Sequence, residues 1–140
     1  MIAIASDHAG YEYKEMLKKY LKEKGIETKD CGTESTESCD YPVFAKKLCT
    51  TVVSGECEKG ILICGTGIGM SMVANKQKGI RAAVCSDEYS TKFTRLHNDA
   101  NVLCLGARVI AEEKARILTD IFLQTEFEGG KHIKRVGMFE

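Results

Sequence analysis

The sequence has no excess of charge of either sign: Lys and Arg together number 20, and so do Asp and Glu. A chain without net charge produces no overall field that would attract nucleic acid or an anionic membrane. No apolar run approaches the length of a transmembrane helix, and the first residues predict a strand rather than a signal peptide. We therefore expect a cytoplasmic protein with neither a nucleic-acid nor a membrane partner.

The seven cysteines are odd in number and contain no C-x-x-C pair. Several lie in apolar runs, where a free thiol behaves as a small hydrophobic side chain. This pattern argues against a zinc site or a disulfide framework and favours a reducing compartment. Repeats, low-complexity tracts and linkers are also missing, and 140 residues suffice for one core. We expect a single domain over 1–140, with a basic tail at 125–140 that completes the site or a dimer.

Short apolar runs alternate with amphipathic segments along the chain. Such alternation predicts a parallel sheet with right-handed crossovers and helices on both faces. The expected fold is a three-layer α/β/α sandwich around a five-stranded parallel, Rossmann-like sheet, in which ligands bind at the carboxyl ends of the strands. Strands are predicted at 1–5, 26–31, 61–63, 81–85 and 102–105, and helices at 11–24, 40–54, 70–75, 86–96 and 111–124.

The stretch 60–69 joins a buried strand to a helix through a glycine-rich turn. Such a turn presents backbone N–H groups to an anion at the start of the helix. Cys64 ends the strand, where the positive end of the helix dipole favours a thiolate. A thiolate beside exposed amides can move a proton or attack a carbonyl. This turn is therefore the candidate site.

The three glycines of the turn do not match the common nucleotide-binding loops. A dinucleotide fingerprint needs its third glycine where Met70 stands, although Asp87 lies near the spacing of the acidic ribose ligand. A Walker A loop needs Gly-Lys-Ser/Thr, which does not follow. A turn that only lets the helix pack on the strand would explain one glycine easily. It would explain three glycines beside a thiol poorly. The pattern therefore favours an anion or oxyanion site.

The three histidines lie at predicted junctions. His132, in the basic tail, fits the common structural or solvated role, whereas Asp7-His8 follows the first strand at its carboxyl end. The helix that ends near His97 runs antiparallel to the strands, so His97 should lie at the sheet edge opposite Cys64, about 17–20 Å away. If both residues serve one site, His97 comes from a neighbouring subunit, and a symmetric dimer with two shared sites follows as a hypothesis.

Three cations lie near loops: Arg108, Lys131 and Arg135. Cations in such places are usually solvated. The alternative is a phosphate clamp, because the two glycines at 129 and 130 allow the tail to fold back over the site.

Six motifs in order give the chain a close, nearly end-to-end resemblance to the type B ribose-5-phosphate isomerases, which form one sugar-phosphate isomerase family with the galactose-6-phosphate isomerases. The motifs are Ser6-Asp7-His8-Ala9-Gly10, Asp40-Tyr41-Pro42, Ile63-Cys64-Gly65-Thr66-Gly67-Ile68-Gly69, Arg95-Leu96-His97-Asn98-Asp99-Ala100-Asn101, Gly106-Ala107-Arg108 and Gly129-Gly130-Lys131-His132 followed by Arg135.

The resemblance implies an enzyme that interconverts D-ribose 5-phosphate and D-ribulose 5-phosphate, as a dimer or a pair of dimers with shared sites and without a metal or cofactor. Cys64 would be the base that moves the proton between C1 and C2, His97 would assist opening of the furanose ring, and the loop amides with Thr66 would stabilise the enediolate. The implied substrate-binding residues are Asp7 and Asn98 for hydroxyls, His8, Arg108, Lys131 and Arg135 for the phosphate, and Tyr41, Gly65, Gly67, Ile68 and Gly69.

Three positions refine this expectation. Met70 stands where one branch of the family has a glutamate base, which favours Cys64. The chain keeps both Cys64 and His97, which favours a pentose phosphate over allose or galactose 6-phosphate. Lys131 stands where the family usually has an arginine, and a lysine cannot make the bidentate fork. Two functions of different classes stay open: a non-catalytic sugar-phosphate-binding regulator and, more distantly, a nicotinamide-dependent oxidoreductase.

Overall fold

Five short segments form one parallel sheet in the computed structural model, which describes residues 1–139. The order of the strands is β2-β1-β3-β5-β4, and every neighbouring pair is parallel. Glu140, the end of the expected tail, lies outside the described residues. The strands are β1 (Ile2–Ser6), β2 (Thr28–Asp30), β3 (Lys59–Cys64), β4 (Ala82–Val84) and β5 (Val102–Gly106).

Helices cover both faces of this sheet. Successive side chains of a strand point to opposite faces, so Leu62 and Cys64 of β3 join one core cluster while Ile61 and Ile63 join the other. The expected three-layer, Rossmann-like α/β/α fold is confirmed. The helices are α1 (Tyr11–Glu23), α2 (Tyr41–Val53), α3 (Ile68–Ala74), α4 (Glu88–Asn98), α5 (Glu112–Gln124) and α6 (Lys131–Val136), of which α2 and α3 pack on the first cluster and α1 and α5 on the second.

The central strands are apolar on both faces because both faces are covered. Every residue of β1 and β5 is buried, and β3 is buried from Gly60 onward. Strands buried on both sides read as continuous apolar runs rather than as an alternation. This is why β1, β3 and β5 can be located from the sequence to within a residue or two.

Two features differ most from expectation. The sequence predicts the second strand at 26–31, but it pairs with β1 only over Thr28–Asp30, at the edge of the sheet. The basic tail forms a helix, α6, which begins after Gly130 with its φ of 57°. Six residues are too few for apolar periodicity to reveal a helix.

All seven cysteines are free. Burial raises the pKa of the Cys49 thiol to about 11, and burial also raises the pKa of Cys31, Cys85 and Cys104. These four thiols therefore act as small core side chains. Within residues 1–139, no helix is both long and apolar enough to cross a bilayer.

Candidate active site

The glycine turn brings a backbone donor to the sulfur of Cys64. β3 ends at Cys64 and α3 begins at Ile68, and the N–H of Gly67 donates a hydrogen bond to the Cys64 sulfur at 3.1 Å. Gly67 has a φ of 79°, and a Cβ on it would lie 2.9 Å from the carbonyl carbon of Leu105. Only glycine fits this position. The hydrogen bond from Gly67 to the Cys64 sulfur thus depends on the conformation of the glycine turn that follows β3.

The two flanking glycines of the turn leave room for neighbouring side chains. The Tyr41 ring lies against Gly69, only 2.7 Å from where a Cβ would stand. The N–H of Arg108 donates to the carbonyl of Gly65 at 3.0 Å, and its guanidinium lies beside the same glycine. The hydroxyl of Thr66 accepts from the N–H of Ile68 at 3.2 Å, at the start of α3. Arg108 and Tyr41 therefore flank the turn, to which Thr66 belongs.

Asp7 and His8 follow β1 at the same edge of the sheet. Asp7 is 6% exposed, and its Oδ1 accepts from the N–H groups of Ala9 at 2.9 Å and Gly10 at 3.1 Å, which fixes the turn into α1. The Nδ1 of His8 accepts from the N–H of Cys39 at 3.3 Å. A neutral imidazole that accepts at Nδ1 carries its proton on Nε2. His8 is therefore available as a donor to an anion.

A second cluster lies at the end of α4. The ring of His97 stacks on the ring of His132, with centroids 4.1 Å apart and planes 13° from parallel. The Nε2 of His97 lies 3.3 Å from Oε2 of Glu128, and the Nε2 of His132 lies 3.9 Å from the same oxygen. Burial, followed by the nearby His97, lowers the pKa of His132.

This cluster has the donor set of a metal site but not the orientation of one. The donor atoms of His97, Glu128 and His132 lie within 4.8 Å of one another. An imidazole nitrogen directs its lone pair in the plane of the ring, and two stacked, nearly parallel rings share no plane. One ion cannot meet both nitrogens unless a ring turns. The arrangement suits a carboxylate shared by two imidazoles.

The remaining predicted residues lie near this second cluster. Asn98 is the last residue of α4 and lines a groove of about 980 Å³ with Arg81, Thr94 and Val136. Lys131 and Arg135 are exposed on α6, and both contribute to the lowered pKa of His132 after burial and His97.

The predicted residues therefore form two groups, at opposite ends of the strands. Cys64 pairs with Gly106, the last residue of β5, whereas His97 lies five residues before Val102, the first residue of that strand. The first and last Cα atoms of a five-residue strand are about 13 Å apart, and His97 lies beyond the first of them. One group lies at the carboxyl ends of the strands and consists of Cys64, Thr66, Asp7, His8, Tyr41 and Arg108. The other group lies elsewhere and consists of His97, Asn98, Lys131 and Arg135.

Sequence reasoning missed Glu128 and assigned His132 a structural or solvated role. Glu128 precedes His132 by four residues, but Gly129 and Gly130 separate them. The spacing is therefore not that of a helix face. Only the packing of the tail on α4 brings both side chains to His97.

The chain matches a known family over almost its whole length. The model of the family described as Ribose/Galactose Isomerase matches residues 2–139. The chain belongs to the ribose/galactose isomerase family. It is 47% identical over 135 residues to ribose-5-phosphate isomerase B of Escherichia coli, covering 96% of this chain and 91% of that protein.

Solved structures from this family superpose closely on the chain. A ribose 5-phosphate isomerase of Thermotoga maritima is 51% identical, with a TM-score of 0.97 over 99% of this chain and 95% of that one. Ribose-5-phosphate isomerase B of Mycoplasma genitalium, solved with bound ribulose 5-phosphate, is 40% identical, with a TM-score of 0.93 over 97% and 91% of the two chains.

Asp87 lies near the spacing of the acidic ribose ligand of a dinucleotide site, but its carboxylate has a different use here. The Oδ1 of Asp87 accepts from the N–H of Ser90 at 2.7 Å and caps α4. The carboxylate is therefore used within the helix start.

Proposed function

We propose that the chain interconverts D-ribose 5-phosphate and D-ribulose 5-phosphate through an enediolate, with Cys64 as the base. The observation that carries this proposal is the position of the Cys64 sulfur at the end of β3, with the Gly67 N–H directed at it. The relatives named ribose-5-phosphate isomerase B, one of them solved with ribulose 5-phosphate, support the choice of substrate.

The reaction needs a base and a site for negative charge. The Cys64 thiolate removes the proton from C2 of the open-chain aldose; the electron pair forms the C1–C2 double bond and the charge moves to O1. Loop amides between Gly65 and Gly69, with the Thr66 hydroxyl, stabilise that oxyanion. The thiol then returns the proton to C1 while the O2 proton passes to O1, which gives the ketose.

His97 supplies the preceding step, the opening of the furanose ring. An imidazole suits this role because it donates and accepts protons near neutral pH. Ribose 5-phosphate is a ring in solution, so an enzyme without this step would depend on the small open-chain fraction. Asp7 and Asn98 hold hydroxyls, and Tyr41 closes the site beside Gly69.

The distance between the two groups of residues leads us to propose a homodimer with shared sites. Cys64, His8 and Arg108 of one subunit face His97, Lys131 and Arg135 of a second copy, so that the basic tail completes the site and clamps the phosphate. Apolar side chains around the turn are exposed, with Ile68 at 53%, Met72 at 66% and Val84 at 43%. A second copy that covers them would bury this apolar surface. Dimers can pair further into tetramers.

We also propose that the enzyme acts in the cytoplasm, in pentose phosphate metabolism. Seven free thiols suit a reducing compartment.

The test compares ketose formation from ribose 5-phosphate, allose 6-phosphate and galactose 6-phosphate without added metal or cofactor. We expect preferred turnover of ribose 5-phosphate, lost in Cys64→Ala and kept in Cys49→Ala, the same change at another buried thiol. The Cys64→Ala variant should still bind the phosphosugar. Preferred turnover of a hexose phosphate would contradict the proposed substrate. Binding without turnover by the unmodified protein would favour the regulator, and retained turnover in Cys64→Ala would contradict the base.

A further inference from the structure

The side chain of His97 is held on three sides. His132 stacks on one face, with ring centroids 4.1 Å apart, and the ring of Phe93 meets it at 4.9 Å and 71°. Phe93 in turn stacks on Tyr89 one turn earlier in α4. The carboxylate of Glu128 lies 3.3 Å from Nε2. A histidine that was only solvated at the surface would not have these partners.

The segment that carries Glu128 is anchored to the last turn of α4. The N–H of Glu128 donates to the carbonyl of Leu96 at 3.1 Å, and Nε of Arg95 donates to the carbonyl of Thr125 at 3.0 Å. Arg95 is itself 5% exposed. The backbone of Glu128 is therefore held beside the last turn of α4 by bonds that involve neither the Glu128 nor the His97 side chain.

Charge distinguishes the two imidazoles. Burial and the charge of His97 lower the pKa of His132, Lys131 and Arg135 lower it further, and only Glu128 opposes them. These surroundings therefore disfavour the protonated form of His132. Glu128 lies closer to His97 than to His132, at 3.3 Å against 3.9 Å.

We infer that Glu128 and His132 are positioning residues that act through His97. The Glu128 carboxylate, 3.3 Å from Nε2, favours a proton on that nitrogen by its charge, so that Nδ1 is the nitrogen that exchanges a proton with the sugar. His132 holds the plane of the ring by stacking. The role resembles that of the carboxylate behind a catalytic histidine in hydrolases. This inference rests on the proposed function, in which His97 opens the furanose ring.

The test uses two substrates that differ at the 4-hydroxyl and therefore in whether a furanose ring has to open. Ribose 5-phosphate closes through O4, whereas an aldose 5-phosphate without the 4-hydroxyl cannot form that ring. We expect Glu128→Gln and His132→Ala each to lower kcat for ribose 5-phosphate by about ten- to a hundredfold, part of what a positioned acid or base supplies. Turnover of the open-chain analogue should change by less than about twofold.

Two further variants separate positioning from general damage. His132→Phe keeps a stacking ring and should recover most of the activity that His132→Ala loses. Glu126→Gln removes the same charge from the same segment, at an exposed residue that no hydrogen bond or ion pair joins to His97 within residues 1–139, and should leave both substrates unaffected. Unchanged circular dichroism and thermal midpoints would show that each variant is folded.

The outcomes distinguish this inference from the function on which it rests. His97→Asn is measured beside these variants. If His97→Asn spares the open-chain analogue but Glu128→Gln and His132→Ala affect both substrates equally or neither, the inference is wrong and the proposed function stands. If His97→Asn itself affects both substrates equally, the ring-opening role fails and the inference fails with it.

Discussion

The amide of Gly67 donates a hydrogen bond to the sulfur of Cys64 at 3.1 Å while the Gly67 backbone is left-handed, with a φ of 79°. The two facts are connected, because this conformation turns the N–H back toward the end of β3. A side chain at position 67 would oppose it and would also meet the backbone of Leu105. The donor at the sulfur therefore depends on the absence of a Cβ.

We predict that Gly67→Ala loses both stability and activity. The change forces alanine into a left-handed conformation and places its Cβ 2.9 Å from the Leu105 carbonyl carbon. The expected cost is about 2–3 kcal/mol, measured by urea denaturation, with a large fall in kcat. Gly55→Ala is the control, since Gly55 has a φ of 83° but open space around it. It should cost about 1 kcal/mol and leave kcat unchanged. Equal costs at the two positions would show that the close approach to Leu105 is unimportant.

We predict that the effect of Gly69→Ala changes sign with the residue at position 41. In the natural sequence the new Cβ would lie 2.7 Å from the Tyr41 ring, so the substitution should destabilise the fold. In a Tyr41→Ala background that obstacle is gone, and alanine at a helical position is favoured over glycine by about 1 kcal/mol. A double-mutant cycle on the free energy of unfolding measures the difference. Additive effects would mean that the ring moves aside without cost.

We predict that Asp30→Asn destabilises the protein because it leaves a buried ammonium with one fewer partner. Lys14 is fully buried, and its Nζ lies 2.7 Å from Asp30 and 2.8 Å from Glu15. Breaking such a pair from one side should cost about 2–4 kcal/mol. Glu56→Gln, which removes the carboxylate from an exposed pair with Lys29, should change stability little.

The same variant carries a pH dependence. Burial raises the pKa of the Asp30 carboxyl, but hydrogen bonds from Lys14 and Lys18 outweigh burial and leave the pKa below its ordinary 3.8. A lowered pKa in the folded state means that this contribution is present above about pH 4 and is lost as pH falls through the folded value. The gap in unfolding free energy between the natural protein and Asp30→Asn should therefore shrink on acidification. A gap that stays constant down to about pH 2 would contradict the ion pair.

Much of the fold can be predicted because its signals are local. Consecutive residues form the apolar runs of β1, β3 and β5, and the cap at Asp87 likewise involves only neighbouring residues. The position of His97 opposite Cys64 follows from the direction of one helix. The edge strand β2 is harder to predict, because its residues are half-buried or exposed.

The remaining features depend on contacts between distant segments. Lys14 reads as one more cation of α1, and its burial requires Asp30 from the neighbouring strand. Glu128 reads as one more acid of the tail, and its contact with His97 requires the tail to pack on α4. No pattern within a single segment predicts such a pairing, because the sequence does not distinguish a charged residue that will be paired from one that stays solvated on the surface.

The most direct test of the shared site mixes two inactive proteins. Purified Cys64→Ala and His97→Asn subunits are exchanged, the exchange is verified by native mass spectrometry, and turnover of ribose 5-phosphate is measured against each parent alone. If each site takes Cys64 from one subunit and His97 from the other, half of the randomly formed dimers are mixed, and each mixed dimer has one intact site of two. We predict recovery of about one quarter of the activity of the unmodified protein. Proven exchange without any recovery would place both residues in one subunit's site and contradict the shared arrangement.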